Sequence, residues 1–90
     1  MKQVALITGG SRGIGLGIAE QLSASGFDIA INGIRPEPAV SDVLNRLRDK
    51  GANVIYCQGN VALTKDRKDI LQKVREHFNR INILVNNAGI

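Results

Sequence analysis

The glycine-rich run TGGSRGIG, from Thr8 to Gly15, is the stretch whose residue types and spacing indicate chemistry most directly. We expect Gly9 to let the chain turn sharply out of a strand, and Gly13 to let the backbone approach a bound pyrophosphate without a Cβ between them. Gly15 would let a helix pack close against a sheet. Free N–H groups of the first helical turn, from Ser11 to about Ile14, would then bind the phosphates, aided by the helix dipole.

Two other phosphate-binding motifs can be compared with this run. A nucleotide-hydrolase phosphate loop needs Lys followed by Ser or Thr after its last glycine, whereas Gly15 is followed by Leu16 and Gly17. The common dinucleotide fingerprint G-x-G-x-x-G, counted from Gly13, would need a glycine where Ile18 stands. The spacing present is G-x-x-x-G-x-G, which matches neither motif.

The elements that must position this loop are predicted from apolar periodicity. Short apolar runs predict strands at Val4–Thr8, Asp28–Asn32, Asn53–Cys57 and Ile81–Asn86. Apolar residues three or four apart predict helices between them, with faces formed by Ile14, Ile18, Ala19 and Leu22, by Val40, Val43, Leu44 and Leu47, and by Ile70, Leu71, Val74 and Phe78.

The helix ends carry their own signals. We expect Gly26 and Gly51 to end the first two helices, because glycine adopts the backbone conformation that terminates a helix. Thr64 is the predicted N-cap of the third helix, with an acid in the first turn that follows. Residues 36–38 include two prolines, which we expect to prevent regular structure until a helix begins near Ala39.

Strands that alternate with helices predict an α/β fold with right-handed crossovers and a parallel sheet covered on both faces. A doubly wound, Rossmann-type sheet would have the strand order 3-2-1-4. Ligands of such folds bind at the carboxyl ends of the strands, where the order reverses between strands 1 and 4. Thr8–Gly10 and Asn86–Gly89 are the segments that fall there.

TGGSRGIG, Asn60-Val61 after the third strand, and NNAGI from Asn86 to Ile90 together resemble the short-chain dehydrogenase/reductase family. That family carries the motifs TGxxxGxG and NNAG. The resemblance covers the whole chain, as the N-terminal part of a family member, and is strongest to the 3-oxoacyl-[acyl-carrier-protein] reductases. It implies that residues 1–90 are the incomplete N-terminal part of an NAD(P)-binding Rossmann domain.

The resemblance also implies roles for individual residues. The pyrophosphate and the adenosine phosphate would be lined by Gly9, Ser11, Arg12, Gly13 and Ile14, with Gly15 behind them. Asn60 and Val61 would contact adenine, where many members carry Asp-Val. Asn87, Ala88 and Gly89 would lie along the ribose, and Asn86 would tie neighbouring strands together.

The segment after the second strand, Asn32–Arg35, bears on the choice between NADP and NAD. An enzyme that selects NAD usually has an acid here to accept a hydrogen bond from the ribose 2′-hydroxyl, and this segment has none. A 2′-phosphate could instead bind arginine, and Arg12 and Arg35 are the candidates, with Ile34 lining the same site. We therefore favour NADP(H), with NAD(H) as the alternative. The simpler interpretation of Arg35 is a solvent-exposed side chain beside Pro36.

The family's chemistry uses a Ser, a Tyr-x-x-x-Lys pair and a further Asn, all C-terminal to NNAG. A tyrosine with a lysine beside it protonates the carbonyl oxygen as hydride arrives. Tyr56 is the single tyrosine, and Asn60 stands where the lysine would be needed, so we assign no catalytic residue to this chain. We expect the chain to supply cofactor binding only and to be inactive alone.

Composition narrows the class of protein. The net charge of +4 is spread among interleaved acids, and Trp is absent, so nucleic-acid binding is not expected. The single cysteine, Cys57, offers neither an internal disulfide nor metal-ligand spacing, and His77 is not a catalytic candidate. There is no long apolar run for a signal peptide or a membrane span, which favours a cytoplasmic protein.

These observations lead to one principal functional hypothesis and two alternatives. The principal hypothesis is an NADPH-dependent reductase of a keto group, carried on acyl-carrier protein or on a small molecule, and assembled as a homotetramer when complete. The first alternative is a sugar, polyol or other alcohol dehydrogenase of the same family. The second is a binding module that senses NAD(P) without catalysis. A Ser and a Tyr-x-x-x-Lys pair in the hundred or so residues that follow would distinguish the enzymes from the module.

Overall fold

The computed structural model describes residues 2–88. Strands and helices alternate along these residues. The strands are β1 (Val4–Thr8), β2 (Asp28–Gly33), β3 (Val54–Gln58) and β4 (Ile83–Asn86). The α-helices are α1 (Gly13–Ala24), α2 (Ser41–Asp49) and α3 (Thr64–Phe78), and a short 3-10 helix at Glu37–Val40 precedes α2.

The strands form one parallel sheet in the order β3-β2-β1-β4, which confirms the predicted topology. β1 is a central strand, with Val4 opposite Asp28 of β2 on one side. On the other side Thr8 lies opposite Asn86, so β1 and β4 end at the same level. The turns that follow these two strands are therefore neighbours at the carboxyl edge of the sheet.

Apolar side chains cover both faces of the sheet, because successive residues of a strand point to opposite sides. On one face Ala5 and Ile7 pack in a cluster with Ala19 of α1 and with Leu44 and Leu47 of α2. On the other face Val4, Leu6, Ala30 and Cys57 pack with Ile70 and Val74 of α3. The sheet thus has two helices on one face and one on the other.

Helix α1 differs from the prediction in the face that it buries. The buried residues are Gly15, Ala19 and Ser23, whereas Ile14 is 75% exposed and the predicted Ile14–Ile18 stripe was therefore wrong at its start. Small side chains at every fourth position let the helix approach the sheet and α2 closely. Ser23 uses this proximity, since its hydroxyl donates to the carbonyl oxygen of Leu47 at 3.1 Å.

The predicted glycine end of α1 is confirmed. Gly26 has a φ of +93° and follows the C-cap residue Ser25. Its N–H donates to the carbonyl oxygen of Ser23 at 3.1 Å, and the N–H of Phe27 donates to that of Leu22 at 3.0 Å. These two bonds form a Schellman motif, which satisfies the last carbonyl groups of the helix.

Two predictions about helix starts were wrong. Thr64 is the first residue of α3 rather than its N-cap, which is Leu63, and no side chain caps this helix end. The prolines do not prevent regular structure, because the 3-10 helix begins directly after Pro36 and contains Pro38 in its first turn. The first turn of a helix tolerates proline, since its N–H groups have no intrahelical acceptor. Across residues 2–88, none of the helices combines the length and the apolar character needed to cross a membrane.

Candidate cofactor-binding site

A cleft of about 350 Å³ lies at the carboxyl edge of the sheet, within the range typical of ligand pockets. The predicted cofactor-binding residues on its wall are Gly9, Ser11, Arg12, Ile34, Arg35, Asn60, Val61 and Ala88. Asn32, Gly33, Gly59 and Ala62 complete the wall. Most of the cleft therefore lies toward β2 and β3, to one side of the predicted switch point between β1 and β4.

Some of the predicted residues do not form this wall. Gly13, Ile14, Gly15 and Asn87 are absent from it. The first three open helix α1, and Asn87 directly follows β4. Gly89 lies outside the residues that the structure describes. The structure thus brings the four predicted segments together, with Gly9, Arg35, Asn60 and Ala88 all on the cleft wall, and gives Gly15 and Asn87 supporting positions.

The loop after β1 delivers the start of α1 to the cleft. Gly9 and Gly13 have φ values of +64° and +61°, a left-handed conformation that favours glycine. The helix begins at Gly13, so Ser11 precedes it and the predicted set of first-turn N–H groups shifts to Gly13, Ile14 and Gly15. These groups have no intrahelical acceptor, no side chain caps them, and the first turn contains no acid. Such a helix end is suited to bind an anion.

Gly15 allows α1 to contact the loop itself as well as the sheet. A Cβ at position 15 would collide with the carbonyl oxygen of Gly9 and lie 2.7 Å from Nδ2 of Asn87. A Cβ at Gly13, in contrast, would meet no atom within 4 Å, so this glycine is favoured by its backbone conformation. The open space beside Gly13 is where the backbone was predicted to approach a pyrophosphate.

Thr8, the last residue of β1, joins the glycine loop to the turn after β4. Its hydroxyl oxygen accepts hydrogen bonds from the N–H groups of Asn87, at 3.0 Å, and Ala88, at 3.1 Å. The same oxygen lies 3.3 Å from the carbonyl oxygen of Val85 and from Oδ1 of Asn86, either of which can accept its proton. The sequence interpretation missed this role of Thr8. Its signal was a hydroxyl residue at the end of an otherwise apolar strand.

The end of β2 is held to β3 by Asn32, a buried residue that the sequence also left without a role. Its Nδ2 donates to the carbonyl oxygens of Cys57, at 2.9 Å, and Gly59, at 3.0 Å. The N–H of Gly59 donates in turn to the carbonyl oxygen of Gly33 at 2.9 Å. These bonds fix the two strand ends that form the far wall of the cleft.

Asn60, predicted to contact adenine, stands in a tight turn on the cleft wall. Its N–H donates to Oδ2 of Asp66 at 2.8 Å, and its Oδ1 accepts from the N–H of Ala62 at 2.9 Å. An aspartate could accept the second bond equally well. The departure from Asp-Val therefore preserves the turn.

The charges on the cleft wall are all positive. Arg12 and Arg35 are among the described wall residues, and no Asp or Glu is. Nη2 of Arg35 lies 3.2 Å from the hydroxyl oxygen of Ser11 and donates to it, which joins the loop after β2 to the glycine loop. Arg35 is therefore not simply a solvent-exposed side chain beside Pro36.

The family model for short chain dehydrogenases matches residues 3–90. The chain belongs to the short-chain dehydrogenase/reductase family. It is 38% identical, over 90 residues, to a 3-oxoacyl-[acyl-carrier-protein] reductase of Staphylococcus epidermidis. The aligned region covers 100% of this chain and 37% of that protein. This agrees with the resemblance inferred from the glycine loop and the NNAG turn.

Solved structures of the family share the fold. A 3-oxoacyl-[acyl-carrier protein] reductase from Brucella melitensis in complex with NAD is 42% identical with a TM-score of 0.91, and the match covers 100% of this chain and 34% of that one. An L-sorbose reductase from Gluconobacter frateurii complexed with NADPH and L-sorbose is 36% identical with a TM-score of 0.91, over 99% of this chain and 34% of that one. The chain described here therefore spans little more than a third of the length of the relatives that it matches.

The residues present fit a nicotinamide dinucleotide, which this family binds. The uncapped start of α1 offers N–H groups that could bind the diphosphate, and Arg12 and Arg35 on the cleft wall carry charge opposite to that of a phosphate. Gly9 keeps the loop narrow, since a Cβ there would lie 3.2 Å from Nδ2 of Asn87 and 3.3 Å from Cα of Ala88. A larger residue at this position would push the loop and the turn after β4 slightly apart, in addition to the strain from its positive φ.

Neither titratable group in the core beside the cleft is placed for chemistry. Burial raises the pKa of the Cys57 thiol to about 11, against a smaller opposing effect of Lys73, so the thiol is protonated and unreactive at neutral pH. Burial also raises the pKa of Tyr56, whose hydroxyl donates to the carbonyl oxygen of Arg35 at 2.6 Å. Nζ of Lys73 donates to the carbonyl oxygen of Tyr56 at 2.6 Å.

Proposed function

We propose that this chain is the cofactor-binding part of an NADPH-dependent reductase that acts on a keto group, with 3-oxoacyl-[acyl-carrier-protein] as the substrate class. The observation that supports this most strongly is the junction of the glycine loop and the segment after β2. There the hydrogen bond from Arg35 to Ser11 sets a fixed positive charge beside the uncapped start of α1. A dinucleotide with an additional phosphate on its adenosine half matches that charge.

The preference for NADPH is argued from charge and geometry. A 2′-phosphate carries charge close to −2 near neutral pH, and an acid at its site would repel it. The end of β2 presents Gly33, Ile34 and Arg35 to the cleft, with no carboxylate among them. A guanidinium can donate two parallel hydrogen bonds to a phosphate, whereas a ribose hydroxyl gains little from it.

Each set of residues has a separate task in the proposed reaction. When bound, the cofactor would supply hydride for the carbonyl carbon of the substrate. The N–H groups of Gly13, Ile14 and Gly15 hold the diphosphate, and Thr8 and Asn87 fix the NNAG turn against the glycine loop. Proton donation to the carbonyl oxygen requires another group, because the Tyr56 hydroxyl is buried and bound to Arg35. We therefore expect the isolated chain to bind cofactor without turning over substrate.

A sugar or polyol reductase is the second candidate for the substrate class. The likeness to the L-sorbose reductase of Gluconobacter frateurii favours it, since that protein was solved with NADPH and L-sorbose. The cofactor half of the site is compatible with either substrate. Homotetramer assembly stays a prediction from the family resemblance, and a cytoplasmic location stays a prediction from the sequence composition.

Direct titration tests the cofactor proposal. We expect NADPH to bind the chain at least about tenfold more tightly than NADH, which corresponds to about 1.4 kcal/mol. The affinities can be measured by calorimetry or by the change in nicotinamide fluorescence. Equal affinities would exclude the proposed preference. The substrate class is tested by supplying a 3-oxoacyl thioester or a ketose, with NADPH, to a longer protein that carries this chain. A higher rate of NADPH oxidation with the ketose than with the thioester would favour the second candidate.

A further inference from the structure

Tyr56 reaches from β3 to the loop that follows β2. The side chain is 2% exposed, and its hydroxyl donates to the carbonyl oxygen of Arg35 at 2.6 Å. The bond restrains the backbone of the residue whose guanidinium holds Ser11. A single buried hydroxyl thus anchors Arg35 from the core side.

The same hydroxyl occupies the space beside Gly33. A Cβ at position 33 would lie 2.6 Å from Oη of Tyr56 and 3.3 Å from Oγ of Ser11. The backbone of Gly33 is outside the left-handed region, so its neighbours and not its φ exclude a side chain. Relief would require the tyrosine ring to move, and the ring is rigid, tightly packed and bound to Arg35.

We infer that Tyr56 is a positioning residue for cofactor selection: its hydroxyl holds the Arg35 backbone and keeps position 33 free of any side chain. An acid at position 33, the last residue of β2, would have to displace the Tyr56 hydroxyl. The residue therefore acts on the choice of cofactor through Arg35 and Gly33, without touching the cofactor. This inference rests on the proposed preference for NADPH.

The Tyr56→Phe variant removes only the hydroxyl. We expect the affinity for NADPH to fall about three- to tenfold, the effect of losing one hydrogen bond, while the affinity for NADH changes less than about twofold. A role confined to general stability would weaken both cofactors in parallel or neither of them, and either result would overturn the inference. Equal binding of the two cofactors by the unaltered chain would instead show that the proposed function itself has failed.

A double-mutant cycle in thermal unfolding tests the steric part without any cofactor. Gly33→Ala should strongly lower the midpoint temperature of unfolding. The same substitution in the Tyr56→Phe background should lower that temperature much less. Gly17→Ala is the matched control, because a Cβ at Gly17 meets no atom within 4 Å. Additive effects of the two substitutions would contradict the assignment of the space beside Gly33 to the Tyr56 hydroxyl.

Discussion

The side-chain amide of Asn87 donates a hydrogen bond to the carbonyl oxygen of Gly9 at 3.2 Å. Two segments from opposite ends of the chain are joined in this way, and Thr8 joins them a second time through its hydroxyl oxygen. Asn87 also lies where a Cβ on Gly15 would project, so the amide fills the corner between α1 and the loop. Its position indicates that Asn87 supports the shape of the phosphate loop.

Replacement of Asn87 by Asp should therefore destabilise the fold. A carboxylate would replace a donor with an acceptor opposite the Gly9 carbonyl, and we expect a loss of about 1–3 kcal/mol in the free energy of unfolding. Urea titration followed by circular dichroism measures it. The exposed Asn45→Asp is the control and should stay within about 0.5 kcal/mol of the unaltered chain. A loss no larger than that of the control would show that the bond to Gly9 contributes little.

A comparison of Gly13 with Gly17 separates the stability effect of backbone conformation from that of helix propensity. Gly13→Ala should cost about 1–2 kcal/mol of stability, because φ is +61° there, and should weaken dinucleotide binding by narrowing the approach to the helix start. Gly17→Ala, in the same helix and in open space, should stabilise the chain by about 0.5–1 kcal/mol. Thermal unfolding and NADPH titration of both variants provide the measurements. Unchanged NADPH affinity in Gly13→Ala would place the diphosphate elsewhere.

Arg35→Ala should selectively remove affinity for the phosphorylated cofactor. We expect NADPH to bind about tenfold or more weakly, as for loss of a charge-assisted hydrogen bond, with NADH nearly unaffected. The difference should shrink at high salt, because screening weakens the contact. Arg46→Ala is the control, since Arg46 lies away from the cleft and pairs with Glu20 at 3.5 Å. Parallel losses for both cofactors would point to a structural role.

The buried thiol predicts a loss of stability at alkaline pH. The folded-state pKa of Cys57 is about 11 against an ordinary value of 9.0, so folding favours the protonated thiol. This contribution is fully present below pH 9 and is lost as the pH rises through 11, with an upper limit of about 3 kcal/mol. Burial raises the pKa of Tyr56 as well, in the same direction.

Unfolding in urea at pH 8, 9.5 and 11 measures this dependence, with Cys57→Ala as the comparison. The variant should lose less stability than the unaltered chain over that interval. Reaction of the native thiol with a disulfide reagent should be slow at pH 8 and become fast after denaturation. An equal decline in both proteins would assign the alkaline effect to other groups.

The sheet order could be predicted because short apolar runs indicate the strands and apolar residues three or four apart indicate the helices between them. The doubly wound rule then permits few topologies. Helix ends were harder, since the N-cap of α3 depends on whether Thr64 or Lys65 is the first residue with helical backbone angles. The buried face of α1 was also missed at Ile14. Periodicity favours large apolar side chains, whereas close helix–sheet approach selects small ones.

The segments of the site were predicted better than the internal bonds that shape it. Motif spacing located the glycine loop and the NNAG turn, and the strand order made them neighbours. Thr8 opens the glycine-rich motif but was given no role of its own, and Asn32 and Tyr56 belong to no motif. Their roles depend on side chains that meet across strands, which a single sequence does not reveal.

The amide of Asn32 has a consequence for the speed of association. Both of its bonds go to main-chain oxygens of the neighbouring segment, so the ends of β2 and β3 are already joined without a ligand. The adenosine half of a dinucleotide would meet a surface that needs little rearrangement, and the ordering cost on binding falls mainly on the ligand. Capture should then proceed in a single kinetic phase whose rate rises linearly with ligand concentration.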